Sequence, residues 1–328
     1  MTTELDYTFR AMGSDVRLLI GPALAPGCPE PLVAADRERD FVLDFGRRLS
    51  RFRADSELSA LNADSRQVVP ASPLLRAAVA AGLWAAQRSQ GLVDPTLVRE
   101  IESAGYVTSS EDREPASLAE ALAGAPVRRP AQSRPRPQWG EITVDDAAGT
   151  VSRPPRTMID TGGTGKGLCA DAVAHRLGSY SRVLVDCGGD IAVGGVGAQL
   201  EPYRIGVEHP GSGETIGWID VARGGVATSG LNVNIWRDAL GGFAHHLLDP
   251  SSGRPAWTGL VAATAVSPGG ALEAETLSKM ALLLGPDGAR DVLAEHGGVI
   301  VHDSGQPEVV GPLAFQFSAA YPPAAVLV

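Results

Sequence analysis

Between Ile159 and Asp303 the chain runs as short β-branched stretches set among glycines: VLVDC, IAVGG, YRIGVEH, GWIDVA, GGVATSG, VAATAVS and GGVIVHD. Three helical patterns interrupt them, at 166–178, 272–284 and 289–296. A parallel, doubly wound sheet needs a crossover helix between successive strands. This chain lacks that regular alternation, so the pattern predicts an α+β fold without a βαβ repeat.

The first half has a different texture. Residues 8–20, TFRAMGSDVRLLI, predict an opening strand with a glycine turn in it. Leu32, Val33, Phe41, Val42, Phe45 and Leu49 form an apolar face among charges, which predicts a helix over 31–49. The alanine-rich run from Pro73 to Ser89 predicts a second helix, ended by Gly91. Within 107–140, SSEDREP and RRPAQSRPRPQ read as loops around one short helix, SLAEALAG, with Ser117 as its cap and Glu120 three residues on. EITVDDAAGTVSRPP reads as strand, turn and strand. No internal repeat stands out, and residues 1–328 are expected to form a single domain containing the irregular 107–140 segment.

A net charge of −10 argues against nucleic acid or an anionic membrane as partner, while leaving room for a local positive site that holds a small anion. MTTELDYTFR lacks the apolar segment of a secretory leader, and no run of about 18 apolar residues follows. The expectation is a cytoplasmic protein without membrane insertion. Cys28, Cys169 and Cys187 are odd in number and show no CxxC spacing, which suggests free thiols.

Of the 28 basic side chains only Lys166 and Lys279 are lysines. An ammonium is a compact point charge, suited to phosphate oxygens in a crowded site where a guanidinium fork does not fit. Lys166 lies in TGGTGKG, whose amides and following helix start can face an anion. The phosphate-loop pattern fails there, because Asp160 stands at its first glycine and Gly167 at its Ser or Thr. GGDIAVGGVG likewise lacks the glycine spacing of a dinucleotide fingerprint. Taken alone, each such turn is equally a tight strand–helix connection. Lys279 alone is equally a solvated charge on an outer helix face. SRFRADSELSALN, GLVDPT, GVATSG and HHLLDPSSGRP singly read as turns or caps, with SRFR as a basic surface loop.

In order, these segments resemble the ApbE-like family, the FAD:protein FMN transferases. The resemblance starts at AMGSDV and passes through SRFRADSELSALN, GLVDPT, MIDTGGTGKGLCADAVA, VLVDCGGDIAVGG, YRIGVEHP and VATSG. It continues through HHLLDPSSGRP to LEAETLSKMALLLG, covering about residues 8–285. It implies an α+β fold related to the T-fold, with FAD in a cleft between two lobes. It also implies a reaction: the FAD pyrophosphate is cleaved, FMN is joined through a phosphoester to a Thr or Ser of an acceptor flavoprotein, and AMP is released. By position, Met12 contacts FAD, Phe52 is the ring-stacking aromatic, and Asn62 belongs to the same binding segment. Leu92, Val93 and Asp94 match the flavin-contacting loop, and Asp160, Lys166 and Asp171 the DxGGxxKG turn and its helix. Thr228, Ser229 and Leu247 complete the expected FAD contacts. His246 matches the family histidine and is the candidate general base, since an ordinary imidazole titrates near operating pH.

One helix departs from the pattern. The family reads A-D-x-x-x-T there, and the Asp and Thr, with a backbone carbonyl near the position of Gly163, hold Mg²⁺ on the pyrophosphate. This chain has Glu275 and Lys279 instead, one turn apart on one face. Glu275 keeps a carboxylate for a metal, but an ammonium has no lone pair to donate. Two expectations follow: Lys279 takes over the charge neutralisation of Mg²⁺, or the chain binds or hydrolyses FAD without a protein target.

Overall fold

The computed structural model describes residues 4–108, 116–238 and 241–321. Within it an eight-stranded sheet runs in the order Leu5–Ala11, Ser14–Ile20, Val183–Cys187, Asp190–Gly194, Gly224–Gly230, Leu260–Ser267, Gly298–His302, Pro307–Val310. Every neighbouring pair is antiparallel, as the missing βαβ alternation predicts. The opening strand expected over 8–20 is instead a hairpin. Met12 and Gly13 form its two-residue turn at φ 51° and 71°, which lets Ala11 pair with Ser14.

Among the described residues seven α-helices accompany the sheets: α1 (Pro31–Leu49), α2 (Glu57–Ala63), α3 (Pro73–Arg88), α4 (Val98–Ser103), α5 (Leu118–Ala123), α6 (Gly165–Arg176) and α7 (Ala271–Leu293). α1 and α3 fall where the apolar pattern places them, α6 follows the glycine turn as expected, and the Ser117 side chain caps α5 by accepting from the Glu120 amide. SSEDREP lies outside the described residues. The two helices expected after Leu272 join as α7, bent at Gly285, whose φ of 74° precedes Pro286. α2 went unread inside SRFRADSELSALN; Ser56 caps it, accepting from the Ser59 amide at 2.9 Å.

Burial follows the period-two rule of strands. Val183, Val185 and Cys187 enter one apolar cluster with α1, α3 and α6, while Leu184 enters a second. The second cluster holds a three-stranded sheet of Tyr203–Glu208, Thr215–Val221 and Phe315–Phe317. Among the described residues no helix is long and apolar enough to cross a membrane.

Arg153 is fully buried and takes the place of a polar core. Its Nη1 donates to the Thr157 carbonyl at 2.7 Å, and its Nη2 to the carbonyls of Asp64, at 2.7 Å, and Leu61. It thereby closes the C-terminal end of α2 onto the segment that enters the glycine turn. Removing it strands buried carbonyls, each costing about 1–3 kcal/mol. Arg153→Met is expected to lower the unfolding free energy by about 3 kcal/mol or more, read from the urea midpoint at unchanged m-value.

Candidate functional site

The glycine turn between Ile159 and α6 is clamped on three sides. Asn62, on α2, donates to the Ile159 carbonyl and accepts from its amide, both at 2.8 Å. The Asp160 amide donates to the Pro95 carbonyl at 2.8 Å, joining the turn to the loop after α3. Asp160 itself accepts from the Gly162 amide at 2.9 Å and from Arg51 Nε at 3.1 Å. Arg51 was read as part of a basic surface loop, yet its side chain is only 6% exposed. Its guanidinium lies 4.4 Å from the Phe52 ring centroid and 5.3 Å from that of Tyr106. Phe52 remains 39% exposed, with the Tyr106 ring packed against it at 5.4 Å and nearly perpendicular. Asn62 spends its amide on the backbone, which makes it a holder of the turn.

The GLVDPT loop forms a second wall. Ser89 accepts from the Val93 amide at 2.9 Å, and Leu92, Val93 and Asp94 are all buried. Asp94 Oδ1 accepts from the Thr96 amide at 2.8 Å and its hydroxyl at 2.5 Å, while Oδ2 is buried without a partner. Burial raises the Asp94 pKa above the usual carboxylate range, against the two hydrogen bonds from Thr96.

α6 and α7 meet at their starts. Asp171, on α6, accepts from the Ala271 and Leu272 amides at 2.7 and 2.9 Å, capping α7. Glu275, on α7, accepts in return from the Gly167 amide at 2.9 Å. Only glycine permits this approach at 167, because a Cβ there would lie 2.8 Å from the Ala271 carbonyl carbon and oxygen. The other Glu275 oxygen receives Lys279 Nζ at 2.8 Å. Lys279 is 14% exposed, so the solvated outer-face reading does not hold. A Cβ at Gly163 would stand 3.8 Å from Lys279 Cε and 4.0 Å from Val93 Cγ1, so the turn, the GLVDPT loop and α7 converge there.

Lys166 turns the other way. Its Nζ lies 3.1 Å from where a Gly188 Cβ would be, in the turn beside Ser14 of the hairpin that carries Met12. Asp190 follows that turn, buried, with its pKa driven well up by burial and then by the Glu275 carboxylate; Lys279 and Lys166 oppose the shift. Both lysines therefore act on one buried carboxylate. Thr228 bonds across the sheet to Thr264 at 2.8 Å, and Ser229 bonds at 2.8 Å to Ser278, the neighbour of Lys279 on α7.

HHLLDP enters from a separate hairpin. His245, on Phe243–His245, is fully buried with its ring 4.8 Å from that of Trp257, and His246 and buried Leu247 follow it. Burial, then the adjoining His246, pushes the His245 pKa down to about 3. Arg134 ties this segment to α4, donating to the Pro250 carbonyl at 2.9 Å and pairing with Glu100.

The donor set expected for Mg²⁺ does not fit it. Both Glu275 oxygens are already hydrogen-bonded and Lys279 offers no lone pair. Among the described residues no three His, Cys, Asp or Glu side chains converge to hold a metal.

A helix start behind consecutive glycines, with an ammonium, a buried carboxylate and a partly exposed aromatic ring nearby, is an arrangement suited to an anionic ligand, here on an α+β scaffold. The model of the ApbE family matches residues 12–301, and the chain belongs to that family. The FAD:protein FMN transferase of Klebsiella pneumoniae (strain 342) is 28% identical over 258 residues, covering 76% of this chain and 71% of that protein. The FAD:protein FMN transferase of Haemophilus influenzae is 25% identical over 273 residues, covering 79% and 74%. Among solved structures, the ApbE protein of Thermotoga maritima superposes with a TM-score of 0.75 at 24% identity over 94% of this chain and 97% of that one. Flavin transferase ApbE of Vibrio cholerae gives 0.70 at 19% identity, over 98% and 99%. These likenesses establish the fold.

Two measurements check the site's supports. Asp171→Ala removes the α7 cap and is expected to cost about 1–2 kcal/mol in urea unfolding. His245 sets a pH dependence: the unfolded chain takes up a proton below pH 6.5 that folded His245 refuses until about pH 3. Stability relative to His245→Phe should therefore fall with falling pH across that window, by up to about 1.4 kcal/mol per pH unit.

Proposed function

We propose that this chain transfers FMN from FAD to a Thr or Ser hydroxyl of an acceptor flavoprotein and releases AMP. The observation that supports the reading is the start of α6 behind the glycine turn, with Lys279 beside Gly163 and Lys166 beside the Gly188 turn, two ammonium groups available to an anionic ligand. Family membership and the names of the relatives support it. Met12, Phe52, Leu92, Val93 and Asp94 line the flavin end, with Phe52 stacking and Asp94 Oδ2 meeting a polar edge. Asp160, Asn62 and Asp171 act by holding the turn and α7 in place. Thr228, Ser229 and Leu247 complete the binding surface.

The step is an in-line displacement. The acceptor Oγ forms a bond to the FMN phosphorus as the bond from that phosphorus to the bridging oxygen breaks. AMP leaves with that oxygen, and the hydroxyl proton passes to His246. Phosphoryl transfer of this kind depends on charge neutralisation and alignment more than on covalent help from the protein. Water in place of the hydroxyl gives free FMN and AMP. The altered 275 and 279 positions are the observation that favours this second reading.

Incubation with FAD and the lysate of the source organism should produce a flavin-fluorescent protein band under denaturing conditions, with AMP released in step. Free FMN and AMP without a labelled band would replace transfer by hydrolysis. His246→Ala is expected to slow labelling about 10²–10⁴-fold while FAD binding persists. Labelling at the wild-type rate would remove His246 from the role.

A further inference from the structure

The ion pair at the start of α7 occupies both functions that a metal site would need. Glu275 is 2% exposed and has one oxygen on the Gly167 amide and the other on Lys279 Nζ, at 2.9 and 2.8 Å. A divalent cation could use this carboxylate only by displacing the ammonium. It could not sit beside the ammonium either, since like charges a few ångströms apart in a buried site repel strongly. Lys279 and a metal therefore exclude each other at this place.

The ammonium is also placed to act. Glu275 and Lys279 lie at i and i+4 on α7, so the pair is held by the helix itself. Gly163 carries no side chain to cover the lysine, whose Cε is 3.8 Å from the nearest Cβ position there. An ammonium has three donors, and the bond to Glu275 uses one.

We infer that the Lys279 ammonium, fixed by Glu275, is the resident cation of this site, and that the chain binds the FAD pyrophosphate without a divalent metal. This rests on the FMN-transfer reading. In the displacement above, the ammonium faces the non-bridging oxygens and the charge that develops on departing AMP. It is neither consumed nor deprotonated, so the balance of the step is unchanged.

The test is FAD affinity by titration calorimetry on the purified chain, in EDTA and in saturating Mg²⁺. Wild-type affinity should change by less than about twofold between the two conditions. Lys279→Met should bind FAD at least about tenfold more weakly in EDTA, the loss of one charge-assisted contact. Because that variant leaves a buried carboxylate uncompensated, Glu275→Gln with Lys279→Met serves as a folded control and should show the same weakening. The double variant Glu275→Asp with Lys279→Thr should regain at least about tenfold in affinity on adding Mg²⁺. A wild-type affinity that falls tenfold or more in EDTA overturns the inference and leaves FMN transfer standing. Wild-type affinity in the charge-free double variant overturns it as well. Failure of the wild type to bind FAD in either condition overturns both readings.

Discussion

The reciprocal carboxylate caps between α6 and α7 are the contact on which the site depends. Asp171 on α6 receives the first amides of α7, and Glu275 on α7 receives an amide in the first turn of α6. Each helix start would otherwise carry unsatisfied donors into a buried junction. Fixing both ends sets the angle between the helices. It places Lys279 beside Gly163 and leaves the glycine turn open in front of it. Gly167 is the steric condition for the arrangement, since the α7 backbone passes where its side chain would be.

Around that junction the chain concentrates charge that it otherwise spreads. With a net charge of −10, a site for any anionic ligand has to be made positive locally. Two lysines, a helix start and consecutive glycine amides do this, while Glu275 pairs directly with Lys279. Arg51 serves differently. Flanked by the Phe52 and Tyr106 rings and bonded to Asp160, it stiffens the turn's approach. Its delocalised charge and flat shape suit stacking, whereas the lysines supply point charges.

Much of the fold was legible because the local signals agree with one another. Apolar periodicity located α1 and α3, the glycine turn located α6, and the lack of βαβ alternation pointed to the antiparallel sheet that forms. The misreadings share a cause. The glycine turn at residue 13 was read but not the two paired strands it joins, because a non-glycine residue, Met12, also takes positive φ there. α2 was hidden by a polar motif with too few apolar positions to show a period. Arg51 read as a surface basic and Arg153 drew no reading, since nothing local tells a guanidinium flanked by rings or bonded to buried carbonyls from one in water.

The sequence by itself determined the family, the α+β class, the rarity of lysine and the substitution of Glu275 and Lys279 at one helix face. These depend on residue identity and order, which local spacing carries. Only the tertiary structure decided what Glu275 and Lys279 do: the carboxylate is filled from α6 on one side and by the ammonium on the other. It also decided that Asp171 and Asn62 hold backbone and that His245 is the buried member of its pair. The physical reason is that a side chain's role depends on which donors reach it, and those donors come from segments as far as 108 residues away along the chain.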